Sequence, residues 1–178
     1  MFYIGNIIIC LVGTFLHFTY ELSHHNHLVA IFSAVNESTW EHIKICMTPT
    51  LLWSIYEIHN YGFTTQFLLA KSLCLLTIIL LIPILFYSYT IFTKKSILWI
   101  DVICFYITVL CSQLVFKYSI PLQNIPNTYM YLSLLLLIIE LTAYLSLTFN
   151  PYQNFIFKDP ITHKYGIEGH PCNHKHNH

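Results

Sequence analysis

The chain is a succession of long apolar runs separated by short polar segments. A helix needs about 20 apolar residues to span the hydrocarbon core of a bilayer, and five runs reach or approach that length. They cover residues 2–20, 40–61, 64–92, 97–117 and 128–149. Because backbone polar groups in lipid must be hydrogen-bonded within the spanning segment, each run is predicted to be a helix. The predicted fold is all-α, a polytopic transmembrane helix bundle of about five helices.

The second run has the weakest apolar pattern. It contains Glu41, Lys44 and Glu57, with Pro49 near its middle as an expected kink. Ionisable residues are costly in a lipid-facing helix. This segment could therefore be a tilted or re-entrant element rather than a full span.

The polar segments predict two regions and a topology. Residues 1–150 form the transmembrane domain, and residues 151–178 form a polar, histidine-rich tail. Five crossings place the loop after the first helix, the loop containing Lys94 and Lys95, and the tail on one side of the membrane. Most of the lysines fall on that side, so the positive-inside rule predicts that it is cytoplasmic and that the N-terminus is outside. The expected location is the plasma membrane.

Composition supports a lipid environment. Of the 178 residues, 56% are hydrophobic and only 9% are charged, whereas soluble domains carry about 25% charged residues. The eight basic residues are all lysines, so the bidentate arginine contacts that favour phosphate recognition are missing. We therefore expect membrane lipids as partners, and a second copy or another membrane protein as a further possibility, but no nucleic acid.

Candidate metal ligands occur where the first run ends. His17 and Glu21 are four residues apart, which places them on one helical face. Imidazole and carboxylate at this spacing can supply two ligands to a divalent metal. The alternative is structural, with His17 hydrogen-bonded to Glu21 at the interface.

The polar segment 33–44 opens the second predicted helix. Ser38 and Glu41 have the spacing of a capping box, a purely structural role. If Asn36 is the cap instead, Glu37 and Glu41 share one face with His42 adjacent, forming an acidic patch suited to a cation. Both interpretations are kept open.

The tail adds further histidines. His163 and His170 lie in a segment with two glycines and a proline, which indicates a defined turn-rich shape. With His17, Glu21 and His42 they make a candidate ligand set for a divalent metal, with zinc as the first metal to consider. A solvated polar surface is the alternative role for the exposed histidines.

Glu140 lies near the middle of the fifth apolar run. An ionised side chain there costs at least a few kcal/mol, so Glu140 is expected to be protonated or paired inside the bundle. Proton or cation transfer is one role, and a hydrogen bond to a threonine or tyrosine is the other.

Two segments resemble a known pattern. They are 33–42, Ser-Ala-Val-Asn-Glu-Ser-Thr-Trp-Glu-His, with the upstream stretch 17–21, and 159–170, Asp-Pro-Ile-Thr-His-Lys-Tyr-Gly-Ile-Glu-Gly-His. The pattern is similar to that of an uncharacterised family of small prokaryotic integral membrane proteins known only as a domain of unknown function. The resemblance implies a bacterial or archaeal plasma-membrane protein and brings no activity with it.

Three functional hypotheses follow. The first is a metal-dependent membrane hydrolase, in which the candidate ligands hold a metal that activates water and Glu37 or Glu41 acts as general base. The second is a proton- or cation-coupled transporter that uses Glu140. The third is a noncatalytic scaffold or subunit in which the polar segments only dock the tail.

Overall fold

The structure is a computed structural model that describes residues 2–123 and 125–170. It contains six α-helices, and their bounds are α1 Phe2–Leu22, α2 His27–Ala30, α3 Thr39–Tyr61, α4 Thr65–Thr93, α5 Leu98–Ser119 and α6 Asn127–Ser146. A short 3-10 helix, Gly166–Gly169, follows in the tail. Within these ranges there is no β-strand, only an isolated bridge between Lys158 and Tyr165.

Four of these helices are long and apolar enough to cross a membrane: α1, α4, α5 and α6. The remaining long helix, α3, has 23 residues and extends about 35 Å at about 1.5 Å per residue. The prediction of an all-α bundle with about five long helices is confirmed. The four-residue α2 is an addition within the first polar segment.

Helix α3 is enclosed by three other long helices. It packs against α1, α4 and α5, and more than half of its residues are buried, including Glu41, Lys44 and Glu57. Neighbouring helices shield these side chains from lipid, which explains why the apolar pattern of this segment is the weakest. The helix is continuous through Pro49, so this segment is not broken into a re-entrant loop.

The helix order brings several polar segments to one end of the bundle. The C-terminus of α1, the N-terminus of α3, the α4–α5 loop and the C-terminus of α6 all lie there, since consecutive long helices alternate in direction. This end is called the tail end below, and residues 151–170 are called the tail. Residues 171–178, with the remaining predicted tail histidines, lie outside the described residues.

The tail folds back over this end. The backbone amide of Trp40 donates to the Ile156 carbonyl at 3.0 Å, and the Asn36 side-chain amide donates to the Gly166 carbonyl at 2.8 Å. A Cβ atom at Gly169 would lie 2.9 Å from Asn36 Nδ2, so the absence of a side chain there permits the close approach. The tail is thus fixed against the segment that precedes α3.

The start of α3 differs from the predicted capping box. Ser38 is the N-cap residue, but its side chain makes no capping hydrogen bond. Asn36 Oδ1 instead accepts from the backbone amide of Ser38 at 2.8 Å. Glu41 turns away from the helix terminus because it is paired with Lys44 and accepts from the amide of Val35.

Candidate functional site

Three predicted site residues meet at the tail end. One oxygen of Glu37 lies 3.5 Å from His17 Nε2, and its other oxygen lies 3.9 Å from His42 Nε2. The two imidazole rings are 6.1 Å apart between centroids. We call these three residues the His–Glu cluster; both histidine side chains are largely buried, and Glu37 is about one-third exposed.

Three different elements position the cluster. His17 lies on α1, near its C-terminus, and His42 lies in the first turn of α3. Glu37 is held in the intervening loop because its backbone amide donates to Asp159 Oδ1 in the tail at 3.1 Å. Gly13, one turn before His17, lets α1 approach closely, since a Cβ there would lie 2.9 Å from the Ile45 carbonyl of α3.

The surroundings of His42 determine how its ring can act. Its Nδ1 lies 3.0 Å from the carbonyl oxygen of Ser38, which accepts a hydrogen bond and therefore places a proton on Nδ1. In the neutral imidazole, Nε2 then presents a lone pair toward Glu37. A lone pair facing a carboxylate is unfavourable unless a proton or a cation lies between them.

A largely apolar cleft adjoins the cluster. It has a volume of about 160 Å³, and its lining includes Gly13, His17 and Phe18 of α1, His42 and Ile45 of α3, and Trp99, Asp101 and Phe105 of α5. Both carboxylate oxygens of Asp101 already accept hydrogen bonds, one from Tyr89 at 2.5 Å and the other from Ser96 at 2.6 Å. Both α1 and α5 are candidate spans, so this lateral cleft lies between two helices that would face lipid.

A second cavity of about 160 Å³ lies on the other side of His17. Its lining includes His17, Glu21, Glu37 and His170. His17 and Phe18 line both spaces. The cluster therefore lies between an apolar cleft and a polar cavity beneath the tail.

Glu41 has a different environment from Glu37. It is 1% exposed and forms a 2.6 Å ion pair with Lys44, which also donates to the Ala30 carbonyl at 2.7 Å. A carboxylate held in this way is not available to a substrate or a metal. The shared acidic face predicted for Glu37 and Glu41 is not formed.

Glu21 and His170 form a separate contact. His170 Nε2 lies 3.9 Å from Glu21 Oε1, and the His170 ring packs against His25, with centroids 4.6 Å apart. Burial lowers the pKa of His170, and His25 lowers it further, whereas Glu21 and Asp159 oppose this change. His170 is thus a docking residue of the tail in this arrangement.

His163 lies apart from the other candidates. It is exposed and lines a cavity that also includes His27 and Phe149 but no member of the His–Glu cluster. Within residues 2–123 and 125–170, no three His, Cys, Asp or Glu side chains are arranged to hold a metal ion as they stand.

Glu140 lies inside the bundle, where it is 3% exposed. Neither of its carboxyl oxygens has a hydrogen-bond partner among the described residues. The hydrogen bond to a threonine or tyrosine that was the structural alternative for Glu140 is therefore not formed there.

Sequence reasoning missed some of the contacts that build this end of the protein. The three-residue spacing of Glu41 and Lys44 is a signal for a helical ion pair and could have identified their contact. Nothing in the local sequence pairs Asn36 with Gly166 or Glu37 with Asp159, because each contact joins segments more than 120 residues apart.

Comparison with known proteins identifies a family whose function is unknown. A family model described as "Family of unknown function (DUF6512)" matches residues 1–167. No curated protein and no solved structure matches the chain. The matched range includes the whole His–Glu cluster and nearly all of the described tail.

Proposed function

Since the chain belongs to the DUF6512 family of unknown function, its activity must be inferred from its own side chains, and we propose a metal-dependent hydrolase of membrane amphiphiles. The observation that carries the proposal is the His–Glu cluster beside the lateral cleft. The cluster would act on the polar part of an amphiphile whose apolar part occupies the cleft. A lipid or lipid-linked ester fits this description.

The spacing within the cluster supports a metal. Ligands on neighbouring corners of a tetrahedral zinc site lie about 3.3 Å apart, given metal–ligand distances of about 2.0–2.1 Å. The two N–O separations in the cluster are 3.5 and 3.9 Å. The two separations involve different oxygens of Glu37, and no three such side chains among the described residues are arranged to hold a metal ion as they stand. Side-chain rotations would therefore be needed to bring the three groups around one ion.

The orientation of His42 supports the same assignment. Metal-binding histidines usually donate their second ring N–H to a carbonyl or carboxylate, which fixes the tautomer. The contact between His42 Nδ1 and the Ser38 carbonyl has this form. Glu37, which faces both imidazoles, would complete the ligand set.

The metal would supply the reactive water. A bound zinc ion lowers the pKa of water toward neutrality and polarises a carbonyl or phosphoryl oxygen. Addition of the water to the ester carbon would break the bond to the alcohol oxygen, and the departing alcohol would receive the proton that Glu37 had accepted from the water. Glu37 would bind the metal through one carboxylate oxygen and accept the proton of the water through the other, because Glu41 is paired with Lys44.

Metal content tests the proposal. His174, His176 and His178 are first replaced by alanine in the full chain, since these histidines could bind metal by themselves. Protein purified in detergent, incubated with zinc and desalted should then retain one zinc ion per chain by elemental analysis. His42→Gln and Glu37→Gln should lower this occupancy at least tenfold, whereas the matched change His163→Gln should not.

Hydrolysis is measured separately with fluorogenic phospholipid and fatty-acyl ester probes. Glu37→Gln should lower turnover at least a hundredfold while the protein remains folded. Zinc binding without turnover of any probe would refute the hydrolase but leave the metal site. Equal zinc content in the cluster variants would refute the metal site itself.

A further inference from the structure

A second feature, independent of the His–Glu cluster, is the buried face of α6. Its fully buried residues are all polar: Ser133, Glu140 and Tyr144, followed by Thr148 just beyond the helix. The opposite face is apolar and exposed, with Leu135, Ile138 and Ile139 each more than half exposed. In lipid this arrangement directs the polar groups inward, and we call these four residues the polar stripe.

Glu140 is the costly member of this stripe. An ionised carboxylate without partners in an apolar interior is strongly unfavourable, and Glu140 has no hydrogen-bond partner among the described residues. Structural stability does not explain a glutamate at this position, since an apolar side chain of similar size would remove the cost. A carboxyl group that can take up and release a proton does explain it.

The stripe connects Glu140 with the tail end. Tyr144, one helical turn from Glu140, has its hydroxyl 2.7 Å from Thr48 Oγ1 of α3. Lys44, one turn before Thr48 on α3, lies 3.5 Å from Thr148 and 2.6 Å from Glu41. Side chains one turn apart are neighbours on a helix surface, so exchangeable protons line the interior from Glu41 to the level of Glu140.

Polar groups also continue toward the opposite end. Cys74 of α4, the helix on which α6 packs most extensively, is fully buried. Gln113 of α5 donates to the Cys74 sulfur at 3.8 Å. Beyond it, Glu57 and Lys71 form a second buried ion pair at 2.5 Å.

The polar side chains described above form one column through the bundle. Its ends are the ion pairs of Glu41 with Lys44 and of Glu57 with Lys71. Glu41 and Glu57 are sixteen residues apart on α3, which corresponds to about 24 Å at about 1.5 Å per residue. That distance covers most of a hydrocarbon core of about 30 Å. Glu140 lies between the two pairs, because its neighbour Tyr144 contacts α3 at Thr48.

We propose that this column is a transmembrane proton pathway and that Glu140 is its central proton-binding group. A proton taken up by the Glu140 carboxylate from one side is released toward the other, so the group returns to its starting state and no bond other than O–H is made or broken. Glu140 makes no hydrogen bond among the described residues, so a rotation of its side chain or a water molecule must bridge the one turn to Tyr144. The hydrogen-bonded hydroxyls of Tyr144 and Thr48 then relay the proton toward the tail end.

Proton flux in liposomes tests this proposal. The full chain is reconstituted into liposomes that contain a pH-sensitive dye, and a potassium gradient with valinomycin drives proton entry. Flux should exceed that of protein-free liposomes, fall at least tenfold in Glu140→Gln, and remain unchanged in Glu168→Gln, which changes an exposed tail carboxylate. Tyr144→Phe should lower the flux while preserving the ring packing.

A second measurement does not depend on flux. The carbonyl stretch of a protonated carboxyl group shifts in D2O when its proton exchanges, and infrared spectroscopy should show one such band that disappears in Glu140→Gln. Tyr144→Phe should slow the deuterium shift. Flux no greater than that of empty liposomes, or flux unaffected by Glu140→Gln in folded protein, would overturn the pathway. Neither result bears on zinc content or ester hydrolysis.

Discussion

The ammonium group of Lys44 is completely buried. Its Nζ lies 2.6 Å from Glu41 Oε2 and 2.7 Å from the Ala30 carbonyl oxygen. Removing one partner of a buried ion pair leaves an uncompensated charge, whereas replacing both partners removes the desolvation cost as well. Glu41 and Lys44 are therefore expected to behave as one unit.

This expectation can be measured. Glu41→Gln should lower the free energy of unfolding by about 3–5 kcal/mol, because the charge of Lys44 loses its partner. The double change Glu41→Gln with Lys44→Met should recover most of that loss in thermal unfolding followed in detergent. Lys95→Met, at an exposed position, is the control, and a double variant no more stable than the single one would contradict the account.

Among the elements, the tail is distinguished by how it is held. Phe157 and Ile156 pack into the apolar core, and the tail is also held by hydrogen bonds and ring contacts, including those of Asn36 with Gly166 and of His25 with His170. The contact of His25 with His170 responds to protonation, whereas apolar packing does not. The tail is therefore the element whose position should depend most on pH.

Tail docking should weaken as the pH falls. Burial lowers the pKa of His170 in the docked tail below the usual value of 6.5, and His25 lowers it further. Below pH 6.5 an undocked His170 takes up a proton more readily than a docked one, so docking free energy is lost until the docked pKa is also passed. Well above pH 6.5, His170 is neutral in both the docked and the undocked tail, so its contribution to the docking free energy no longer changes with pH.

Limited proteolysis of the tail measures this effect. Cleavage within residues 151–170 should be faster at about pH 5.5 than at about pH 7.5, on either side of the usual histidine pKa of about 6.5. His170→Asn, which cannot take up a proton, should reduce the difference. Gly166→Ala should speed cleavage at both pH values, since Gly166 has φ +53°, a conformation that disfavours a side chain. Equal pH dependence in His170→Asn would assign the effect to other groups.

For the bundle as a whole, the decisive property is topology. The tail contacts the segment before α3 directly. Residues 27 and 163 are therefore expected on the same side of the membrane. The lysine distribution predicts that this side is cytoplasmic. The α3–α4 turn, near Gly62, follows the opposite end of α3 and is therefore predicted to face the other side.

Single cysteines introduced at these positions test the topology. In a background without the native cysteines, His27→Cys and His163→Cys should resist a membrane-impermeant maleimide in intact cells and react after permeabilisation. Gly62 has φ +71°, so Phe63→Cys, at its exposed neighbour, is the better probe of the other side and should react in intact cells. Opposite labelling of positions 27 and 163 would contradict the contacts described.

The helices of this protein could be predicted from its sequence because of the lipid environment. In lipid every backbone polar group must be paired within its own helix, so the length of an apolar run nearly sets the helix. The predicted and observed bounds of the long helices agree within three residues. The same physical cause explains the weak apolar pattern of α3. Its polar side chains face other helices rather than lipid, so they are tolerated there.

The site depended on information that is not local. Sequence reasoning singled out His17, Glu37 and His42, but it also grouped them with Glu41 and His163, which the structure separates from them. Which side chains meet depends on how α1 rotates against α3 and on how the tail holds Glu37 through Asp159. The number, length and polarity of the helices follow from the cost of exposing backbone and charge to lipid, which acts on each segment alone. The pairing of Glu41 with Lys44, the isolation of Glu140 and the meeting of the His–Glu cluster arise only when segments distant in sequence compete for the same buried space.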